Sequence, residues 1–505
     1  MALQPILIAG QWRSANAAST FHAQNPATGE KFSEEYPVSA WADCDAALSA
    51  AVEAAALLRA VPPVQLATFL TRYAERIEAR KPELVENANA ETALAKAPRL
   101  ADVELPRTTD QLRQAAAAAL DGAWALPTID AKLNIRSVLA PIGPVLAIGP
   151  NNFPFAFNGV AGGDFAAAIA AGNPVIAKAH PCHPRTTQLM AEEALVAVTE
   201  TGLPPATVQM IYRTSRHDGL RVVSDKRLGA VGFTGSREAG MKLKAAADAV
   251  GKPVYLEMSS INPVLILPGA LAERGEKIAD EFGTSCLMAC GQFCTSPGLV
   301  IVFAGVDADK FIAGVKVKLE GAAAATLLSS GVAQSLATGV QTLRTAGAEL
   351  VTGGMPLGGN KFANTLLRVS GEQFLASSEQ LQTEVFGNAS LVVTAHDERE
   401  IQQVISRLEG NLTGSIYSDS NGADDALYEK LSPPLRQRVG RLLNDKMPTG
   451  VAVTAAMNHG GPFPATGHPG FTAVGFPAAM RRFTLLQCYD NVRPHRLPPA
   501  LRDRT

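Results

Sequence analysis

The sequence predicts an α/β protein built on doubly wound parallel sheets, and three observations predict it. From about Asn134, short apolar runs rich in valine and isoleucine alternate with alanine-rich stretches that have helical spacing. A glycine follows each of the clearest helical stretches, at Gly172, Gly202 and Gly251. A second alternating region begins at Asn262, so the 505 residues are expected to contain two α/β domains.

The predicted strands of the first region are Val138–Ile148, Asn173–Ala177, Val208–Tyr212, Ala230–Phe233 and Val254–Leu256. The helices expected between the later strands are Gly159–Ala171, Arg185–Thr201 and Arg237–Ala249. In the second region, the strand-like runs are Val264–Leu267, Leu299–Phe303 and Leu391–Thr394. Because open parallel sheets bind ligands at the carboxyl ends of their strands, we expect the functional side chains there.

The part of the chain before these regions has a different residue pattern. The segments Ile6–Trp12 and Asn25–Glu30 carry turn signals and predict a short strand and a hairpin. From Asp43 to about Ala119 the chain is rich in Ala, Leu, Glu and Arg, and prolines interrupt it, which predicts several amphipathic helices. We expect this helical segment to carry no chemistry.

Composition excludes several classes of protein. Hydrophobic residues make up 47% and charged residues 18%, which is typical of a globular chain. A net charge of -2 without a basic patch argues against nucleic-acid binding, and no polybasic run favours a membrane surface. No apolar run approaches the ~18 residues of a membrane span, and the N-terminal residues do not read as a secretory signal. Six cysteines do not form a secreted disulfide framework, so we expect a soluble cytoplasmic protein.

The stretch Phe282–Gly298 contains three cysteines at intervals of four residues: Cys286, Cys290 and Cys294. The first two lie in an apolar run with helical spacing, and Gly291 is expected to end that helix. Cys294 would then lie on a short loop among small and polar residues, where a thiol can reach a cleft. Glu257 lies in an apolar segment, where an unpaired buried carboxylate is costly. Cys294 and Glu257 are therefore candidates for a nucleophile and a base.

Other interpretations of these cysteines stay open. A free cysteine packed near a helix end is the commoner fate of a single cysteine. The three cysteines could also face one way and bind a metal, but zinc sites use closer pairs and a fourth ligand that nothing nearby supplies. We therefore expect no metal. Oxidation could join Cys290 to Cys294 in a disulfide, a hypothesis that rests on spacing alone.

The segments GQFCT around Cys294 and LEMSSINP around Glu257 resemble the cysteine and glutamate motifs of the NAD(P)-dependent aldehyde dehydrogenase superfamily. The phrases NPATGE and RRF extend this resemblance over nearly the whole chain. The resemblance implies that Cys294 attacks an aldehyde and that, after hydride transfer, Glu257 activates the water that hydrolyses the thioester. It implies that Asn152 shares the oxyanion with the backbone amide of Cys294. The family commonly has two glycines after the glutamate, where this chain has Ser259 and Ser260.

The phrase FTGSREAG joins a predicted strand to a predicted helix. Gly235 and Ser236 in this turn either let backbone amides approach a phosphate or simply cap an ordinary helix. The phrase resembles the pyrophosphate-binding turn of the family, which favours cofactor binding. The resemblance also implies that Glu384, in TEVFG, holds the nicotinamide ribose while Phe386 steadies the ring.

Lys178 matches the family lysine that holds the cofactor's ribose hydroxyls. The choice between NADP and NAD depends on the residues that follow it. NAD-preferring relatives have a glutamate three residues later, where this chain has Pro181. His180 is close in sequence, and Arg216 resembles the arginine that meets the 2′-phosphate in NADP-preferring members. The resemblance therefore favours NADP, with NAD also possible.

The substrate is an aldehyde, and the resemblance is nearest to the branch that contains α-ketoglutaric semialdehyde and NADP-dependent fatty aldehyde dehydrogenases. Phe155, Phe157 and Phe293 predict an aromatic mouth that would suit an alkyl chain, and no arginine stands beside Asn152 or Cys294 in the sequence. On the resemblance, α-ketoglutaric semialdehyde is expected first and fatty or medium-chain aldehydes second. A CoA-acylating or a non-catalytic relative is the alternative class, and the presence of Glu257 and the other motif residues argues against it.

The resemblance also implies an aldehyde dehydrogenase fold with a small oligomerisation arm. The cofactor-binding domain is expected to comprise residues 1–122 and 138–256, and the catalytic domain residues 257–450. Residues 123–137 and 476–505 are expected to join subunits into a homodimer or homotetramer.

Overall fold

A computed structural model describes residues 3–503, and two seven-stranded sheets organise them. The chain begins with the strands β1 (Ile6–Ile8), β2 (Gln11–Arg13), β3 (Ala17–Phe21) and β4 (Tyr36–Ser39). The predicted helical segment is confirmed as α1 (Trp41–Leu58), α2 (Pro63–Ala79), α3 (Lys81–Thr92), a π-helical segment (Lys96–Glu104) and α4 (Leu105–Asp121). None of the helices in the described part of the chain is long and apolar enough to cross a membrane.

Strands and helices then alternate to form the first large sheet. The elements are β5 (Thr128–Asp130), β6 (Ile135–Pro141), β7 (Val145–Ile148), α5 (Gly163–Ala170), β8 (Val175–Lys178), α6 (Pro184–Glu200), β9 (Val208–Ile211), β10 (Arg213–Thr214), α7 (Arg216–Val223), β11 (Ala230–Thr234), α8 (Arg237–Asp248) and β12 (Val254–Glu257). The sheet has the order β12-β11-β7-β8-β9-β1-β2, parallel except for β1 and β2 at one edge. Its parallel strands are almost wholly buried, which explains why they read as continuous apolar runs.

The carboxyl ends of four parallel strands meet at one edge of this sheet. Ile148 at the end of β7 pairs with Lys178 at the end of β8. Ile148 also pairs with Phe233 of β11, and the next residue of β11 pairs with Glu257 at the end of β12. Lys178 and Glu257 therefore lie at the same edge, where a doubly wound sheet binds its ligands.

The second domain repeats the parallel arrangement. Its elements are β13 (Val264–Ile266), α9 (Pro268–Leu287), β14 (Leu299–Phe303), α10 (Val306–Gly321), α11 (Ser330–Thr345), β15 (Glu349–Thr352), β16 (Pro356–Gly358), β17 (Lys361–Phe362), β18 (Thr365–Ser370), α12 (Gly371–Ala376), α13 (Ser378–Leu381), β19 (Ala389–Ala395), α14 (Glu398–Arg407), β20 (Asn411–Tyr417), α15 (Asp425–Arg436) and β21 (Val439–Asn444). The sheet order is β15-β18-β19-β14-β13-β20-β21, and only β15 pairs antiparallel. The predicted α/β class with two parallel sheets is thus confirmed.

A third, smaller sheet stands apart from the two large ones. The C-terminal strand β22 (Thr484–Asp490) pairs antiparallel with β6, and β6 pairs antiparallel with β5. The run Val138–Ile148, predicted as one strand, is therefore two strands in different sheets. The break is at Gly143, whose φ of 112° is open to glycine but not to a branched side chain. The domain bounds and the role of this arm stay predictions.

Candidate active site

Cys294 lies on a loop between α9 and β14, beyond a left-handed turn. Helix α9 ends at Leu287, not at Gly291 as predicted. Three consecutive residues after it have positive φ values: Ala289 (47°), Cys290 (58°) and Gly291 (68°). A Cβ atom on Gly291 would lie 2.1 Å from the carbonyl oxygen of Gly387, so only glycine permits this approach. The close approach to the loop before β19 therefore fixes the left-handed turn that follows the helix.

The other two cysteines of this stretch do not join Cys294. The sulfur of Cys290 donates to the carbonyl oxygen of Ala325 at 3.5 Å, and the sulfur of Cys286 lies 3.2 Å from the Ser390 hydroxyl. The six cysteines are free thiols. A three-cysteine metal site has no support in this arrangement, and the Cys290–Cys294 disulfide stays a hypothesis.

The sulfur of Cys294 lies 3.4 Å from Nε2 of His459, and the same nitrogen lies 2.9 Å from Oε1 of Glu257. Burial and the negative charge of Glu257 raise the pKa of the Cys294 thiol well above its usual value, and the positive charge of Arg107 partly opposes them. Since a thiolate is the reactive form of cysteine, this thiol needs a base close by. The Glu257–His459 pair lies close enough to the sulfur to act as one.

Glu257 is the last residue of β12 and is buried. Its Oε1 meets the imidazole of His459, whereas its Oε2 is buried without a hydrogen-bond partner among the described residues. An unpaired buried carboxylate oxygen is energetically costly, and such exceptions are commonly found at catalytic sites. This oxygen can accept a proton from a reacting group.

His459 was not predicted as a site residue. It opens the segment HGGPFPATG in the C-terminal part of the chain. Its backbone N–H donates to the Thr472 hydroxyl at 3.1 Å, and its ring is buried 5.6 Å from the ring of Phe157. The available signal was a single histidine in an apolar, glycine-rich and proline-rich loop.

Asn152 follows β7 and is buried against the cysteine loop. Its side-chain amide donates to the carbonyl oxygen of Gln292 at 2.9 Å, two residues before Cys294. Its own carbonyl oxygen accepts a hydrogen bond of 3.0 Å from Arg99. The sequence-predicted trio of Cys294, Glu257 and Asn152 is therefore gathered where the two large sheets meet.

A buried carboxylate fixes the loop that carries Asn152. Glu104 ends the π-helical segment, and its Oε1 accepts the backbone N–H groups of Phe155 at 2.8 Å and Ala156 at 3.0 Å. Its Oε2 forms an ion pair with Arg99. The N-terminal helical segment, which was expected to carry no chemistry, therefore supports the site structurally, because Arg99 and Glu104 both hold the Asn152 loop.

Three aromatic rings cluster beside the cysteine loop, and Phe155 is not one of them. The Phe153 ring lies 5.2 Å from that of Phe157 and 5.4 Å from that of Phe293. Phe155 is fully buried in the core, so Phe153 joins this cluster in its place, and the substrate roles of Phe155, Phe157 and Phe293 stay predictions. The segment that carries Phe153, Phe155 and Phe157 is a series of turns rather than a strand. Its side chains therefore do not alternate between two faces.

Arg107 of α4 lies against these rings. Its guanidinium carbon is 5.0 Å from the ring centroid of Phe157 and 5.6 Å from that of Phe153. Burial lowers the pKa of Arg107, while the negative charges of Glu104 and Cys294 oppose this effect. An arginine that is remote in sequence thus packs against the aromatic rings near the cysteine loop.

The sheet edge at Lys178 carries positive charge. Burial lowers the pKa of Lys178 to about 8, and the charge of Arg213 adds to the effect. Arg213 and Arg216 are exposed. Burial and the charges of His183 and Lys178 hold the pKa of His180 well below its usual value, so His180 is neutral. The cationic groups here are therefore the lysine and the two arginines, not the histidine.

The turn between β11 and α8 has the shape expected of a phosphate-binding turn. The Ser236 hydroxyl accepts the backbone N–H of Ala239 at 3.4 Å and caps the helix. A Cβ atom on Gly235 would lie 2.7 Å from the Phe233 ring, so glycine is required. The first amides of a helix attract phosphate, and the roles of Gly235 and Ser236 stay predictions.

Glu384 lies near Cys294 on the second domain. Burial raises the pKa of Glu384 to about 7, and the Ser259 side chain and the Ser260 backbone oppose this effect. Ser259, which replaces a family glycine, thus lies close to Glu384. Phe386 lines the same cavity as Phe293. A carboxylate for ribose hydroxyls, a helix N-terminus and a lysine at one edge fit a dinucleotide.

Comparison with known proteins agrees with this geometry. The sequence profile of the aldehyde dehydrogenase family matches residues 12–450. The chain is 39% identical to α-ketoglutaric semialdehyde dehydrogenase 2 of Azospirillum brasilense over 100% of this chain and 97% of that protein. It is 35% identical to the α-ketoglutaric semialdehyde dehydrogenase of Acinetobacter baylyi over 91% and 89% of the two chains. The Thermus 1-pyrroline-5-carboxylate dehydrogenase solved with bound NAD superposes with a TM-score of 0.82 at 22% identity, covering 96% of this chain and 92% of that chain.

Proposed function

The chain belongs to the aldehyde dehydrogenase family, and from that premise we propose that its substrate is α-ketoglutaric semialdehyde, oxidised to 2-oxoglutarate with NADP. The protein is an enzyme that oxidises an aldehyde to a carboxylic acid with NAD(P). The finer proposal draws on the names of the two bacterial relatives and on the charge around Cys294.

The observation that carries the substrate proposal is the cationic environment of the thiol. Burial lowers the pKa of both Arg107 and Arg441, and the negative charge of Cys294 opposes this effect on each of them. Arg441 is already bonded to two backbone carbonyl oxygens, so Arg107 is the one of these two cations that is open to a ligand. A largely desolvated cation favours a partner with negative charge over an alkyl chain. An aldehyde that ends in a carboxylate suits this pocket better than a fatty aldehyde does.

We propose the following roles for the reacting groups. The Glu257–His459 pair accepts the Cys294 proton, and the thiolate attacks the aldehyde carbon to form a thiohemiacetal. The side-chain amide of Asn152 and the backbone N–H of Cys294 stabilise the oxyanion, and loss of one such donor costs about 10²–10³ in rate. A bound nicotinamide would supply the hydride acceptor for this carbon, and Cys294 would then carry the acyl group as a thioester.

The second half of the reaction releases the acid. The free oxygen of Glu257 removes a proton from water, which attacks the thioester carbon and expels the Cys294 thiolate. His459 holds the other carboxylate oxygen at 2.9 Å and so keeps Glu257 oriented towards the sulfur. This hydrolytic base is the reason to propose a free acid rather than a CoA thioester as the product.

The preference for NADP is supported by the sheet edge at Lys178. Pro181 stands where a carboxylate would repel a 2′-phosphate, and the exposed arginines Arg213 and Arg216 lie on the adjoining elements. Positive charge at this edge favours the phosphorylated cofactor. Glu384, Phe386, Gly235 and Ser236 are proposed to hold the rest of it.

We propose a cytoplasmic homodimer or homotetramer that is assembled through the three-stranded arm. The arm exposes large apolar side chains: Ile129, Leu133, Leu485 and Leu486. An apolar patch on a strand edge favours association with a second copy. Sedimentation of the protein with Leu486→Lys, next to wild type, tests this assembly.

The experiment that tests the function is a steady-state comparison of aldehydes by absorbance of the reduced cofactor. The panel contains α-ketoglutaric semialdehyde, succinic semialdehyde and decanal, each with NADP and with NAD. A higher kcat/KM for α-ketoglutaric semialdehyde with NADP is expected. A higher kcat/KM for decanal would overturn the substrate proposal and favour a fatty aldehyde dehydrogenase.

A further inference from the structure

Arg107 stands out because its guanidinium group lacks a polar partner. Its Nε and Nη2 are buried and have no hydrogen-bond partner among residues 3–503. A buried guanidinium that donates to nothing is costly in free energy, so it persists where a ligand completes it.

The two neighbouring arginines are already engaged. Arg99 pairs with Glu104 and donates to the carbonyl oxygen of Asn152. Arg441 donates from Nη2 to the carbonyl oxygens of Pro448 at 2.8 Å and Gly450 at 3.1 Å. These two arginines support loops, which leaves Arg107 as the cation available to a ligand.

The acids that could neutralise Arg107 are also engaged. Glu104 forms its ion pair with Arg99 and accepts two backbone amides. Glu257 is bonded to His459 through Oε1. Neither carboxylate is within ion-pair distance of Arg107. The charge of this guanidinium therefore stays unneutralised in the protein alone.

The rings of Phe157 and His459 form a series of neighbours that leads from Arg107 to the sulfur of Cys294. Its guanidinium carbon lies 5.0 Å from the Phe157 ring centroid, and the Phe157 ring lies 5.6 Å from the ring of His459. His459 is the residue that touches Cys294, at 3.4 Å. The guanidinium carbon lies over the aromatic faces of Phe153 and Phe157, which favour a cation there.

We propose that Arg107 binds the distal carboxylate of the substrate and that the enzyme takes short aldehydes with a terminal carboxylate. This inference rests on the proposed function, because it uses the same pocket. A planar guanidinium offers two parallel N–H donors to a carboxylate, which fixes both the charge and the direction of a short chain. The aldehyde end of such a substrate then reaches Cys294, whereas a neutral aldehyde of equal length has no such anchor.

The test compares Arg107→Gln and Arg107→Lys with wild type on two substrates, α-ketoglutaric semialdehyde and pentanal. For Arg107→Gln, kcat/KM for the semialdehyde is expected to fall roughly 10²-fold, mostly through KM, because a desolvated charge partner is lost. The value for pentanal should barely change. Arg107→Lys keeps the charge without the planar fork and should fall in between. Equal losses on both aldehydes would overturn the inference.

A second measurement separates this inference from the identity of the physiological substrate. Glutarate is added as an inhibitor of pentanal oxidation, so that no semialdehyde is involved. Wild type should be inhibited competitively with pentanal, and Arg107→Gln should lose the inhibition. Equal inhibition of both enzymes would overturn the role of Arg107 even if α-ketoglutaric semialdehyde proves the best substrate. If wild type preferred decanal, the proposed function would be wrong, but inhibition by glutarate would still test the role of Arg107.

A matched control is Arg221→Gln. Arg221 is exposed, and its guanidinium carbon lies 3.5 Å from the Trp41 ring centroid. The substitution therefore removes an arginine–aromatic contact that lies outside the pocket. Its kcat/KM ratio between the two aldehydes should equal that of wild type. A shift of that ratio in the control as large as in Arg107→Gln would contradict a specific role for Arg107.

Discussion

The imidazole Nε2 of His459 lies 2.9 Å from Glu257 Oε1, although 202 residues separate the two positions in the chain. The same nitrogen lies 3.4 Å from the Cys294 sulfur. A buried thiol with a raised pKa is thus placed against a carboxylate–imidazole pair that can take its proton.

Replacing His459 should slow activation of the thiol. We expect His459→Gln to lower the rate of Cys294 alkylation by iodoacetamide at pH 7 by roughly 10²-fold, the lower end of what a general base contributes. The rate is measured by mass spectrometry of quenched samples. The exposed His396 offers a control, His396→Gln, that should react like wild type. An unchanged alkylation rate in His459→Gln would show that Glu257 alone serves as the base.

Breaking the Glu104 ion pair should cost stability and activity together. Glu104→Gln leaves Arg99 without its charge partner in a buried position, and removing one partner of a buried pair costs about 3–5 kcal/mol of unfolding free energy. We expect kcat to fall as well, because Arg99 holds the Asn152 loop. Denaturant unfolding and steady-state rates measure the two effects.

The exposed ion pair between Glu86 and Lys96 supplies the comparison for that variant. Since exposed pairs contribute about 0–1 kcal/mol, Glu86→Gln should unfold close to wild type. If Glu104→Gln unfolded no more easily than Glu86→Gln, the structural role of Glu104 would be refuted.

Cofactor affinity should depend on pH through Lys178. The pKa of Lys178 is lowered to about 8, so the side chain is charged below pH 8 and becomes neutral as the pH rises above it. A bound phosphorylated cofactor favours the charged form. The Kd for NADP should therefore be constant below about pH 8 and increase above it. Lys178→Gln should bind weakly with no such rise, and a parallel rise in this variant would assign the titration to another group.

The elements that sequence analysis found are those whose signal is local. Cys294, Glu257 and Asn152 sit in short motifs, and the parallel strands are buried on both faces, so their apolar runs are continuous. The left-handed turn after α9 could not be found in this way, because it is fixed by the approach of Gly291 to Gly387, 96 residues away along the chain.

The residues that were missed depend on tertiary packing. Arg99 and Arg107 lie in a helical stretch whose sequence is typical of a solvent-exposed helix. Only the packing of that stretch against the Asn152 loop brings them to the site. Phe153 and Phe155 are equally apolar in the sequence. The hydrogen bonds of Glu104 to the Phe155 and Ala156 amides set the turn that buries Phe155.

The most direct test of the central claim is a single-turnover measurement on Glu257→Gln with α-ketoglutaric semialdehyde and NADP. The account predicts a burst of one equivalent of reduced cofactor per active site, followed by a stall, with a covalent acyl group on Cys294 in the intact mass. The burst forms because His459 still faces the thiol and the charge of Glu257, which raises the pKa of Cys294, is removed. The stall follows because the base that activates water is gone. Steady turnover without an accumulated acyl group would contradict the assignment of Glu257 as the hydrolytic base.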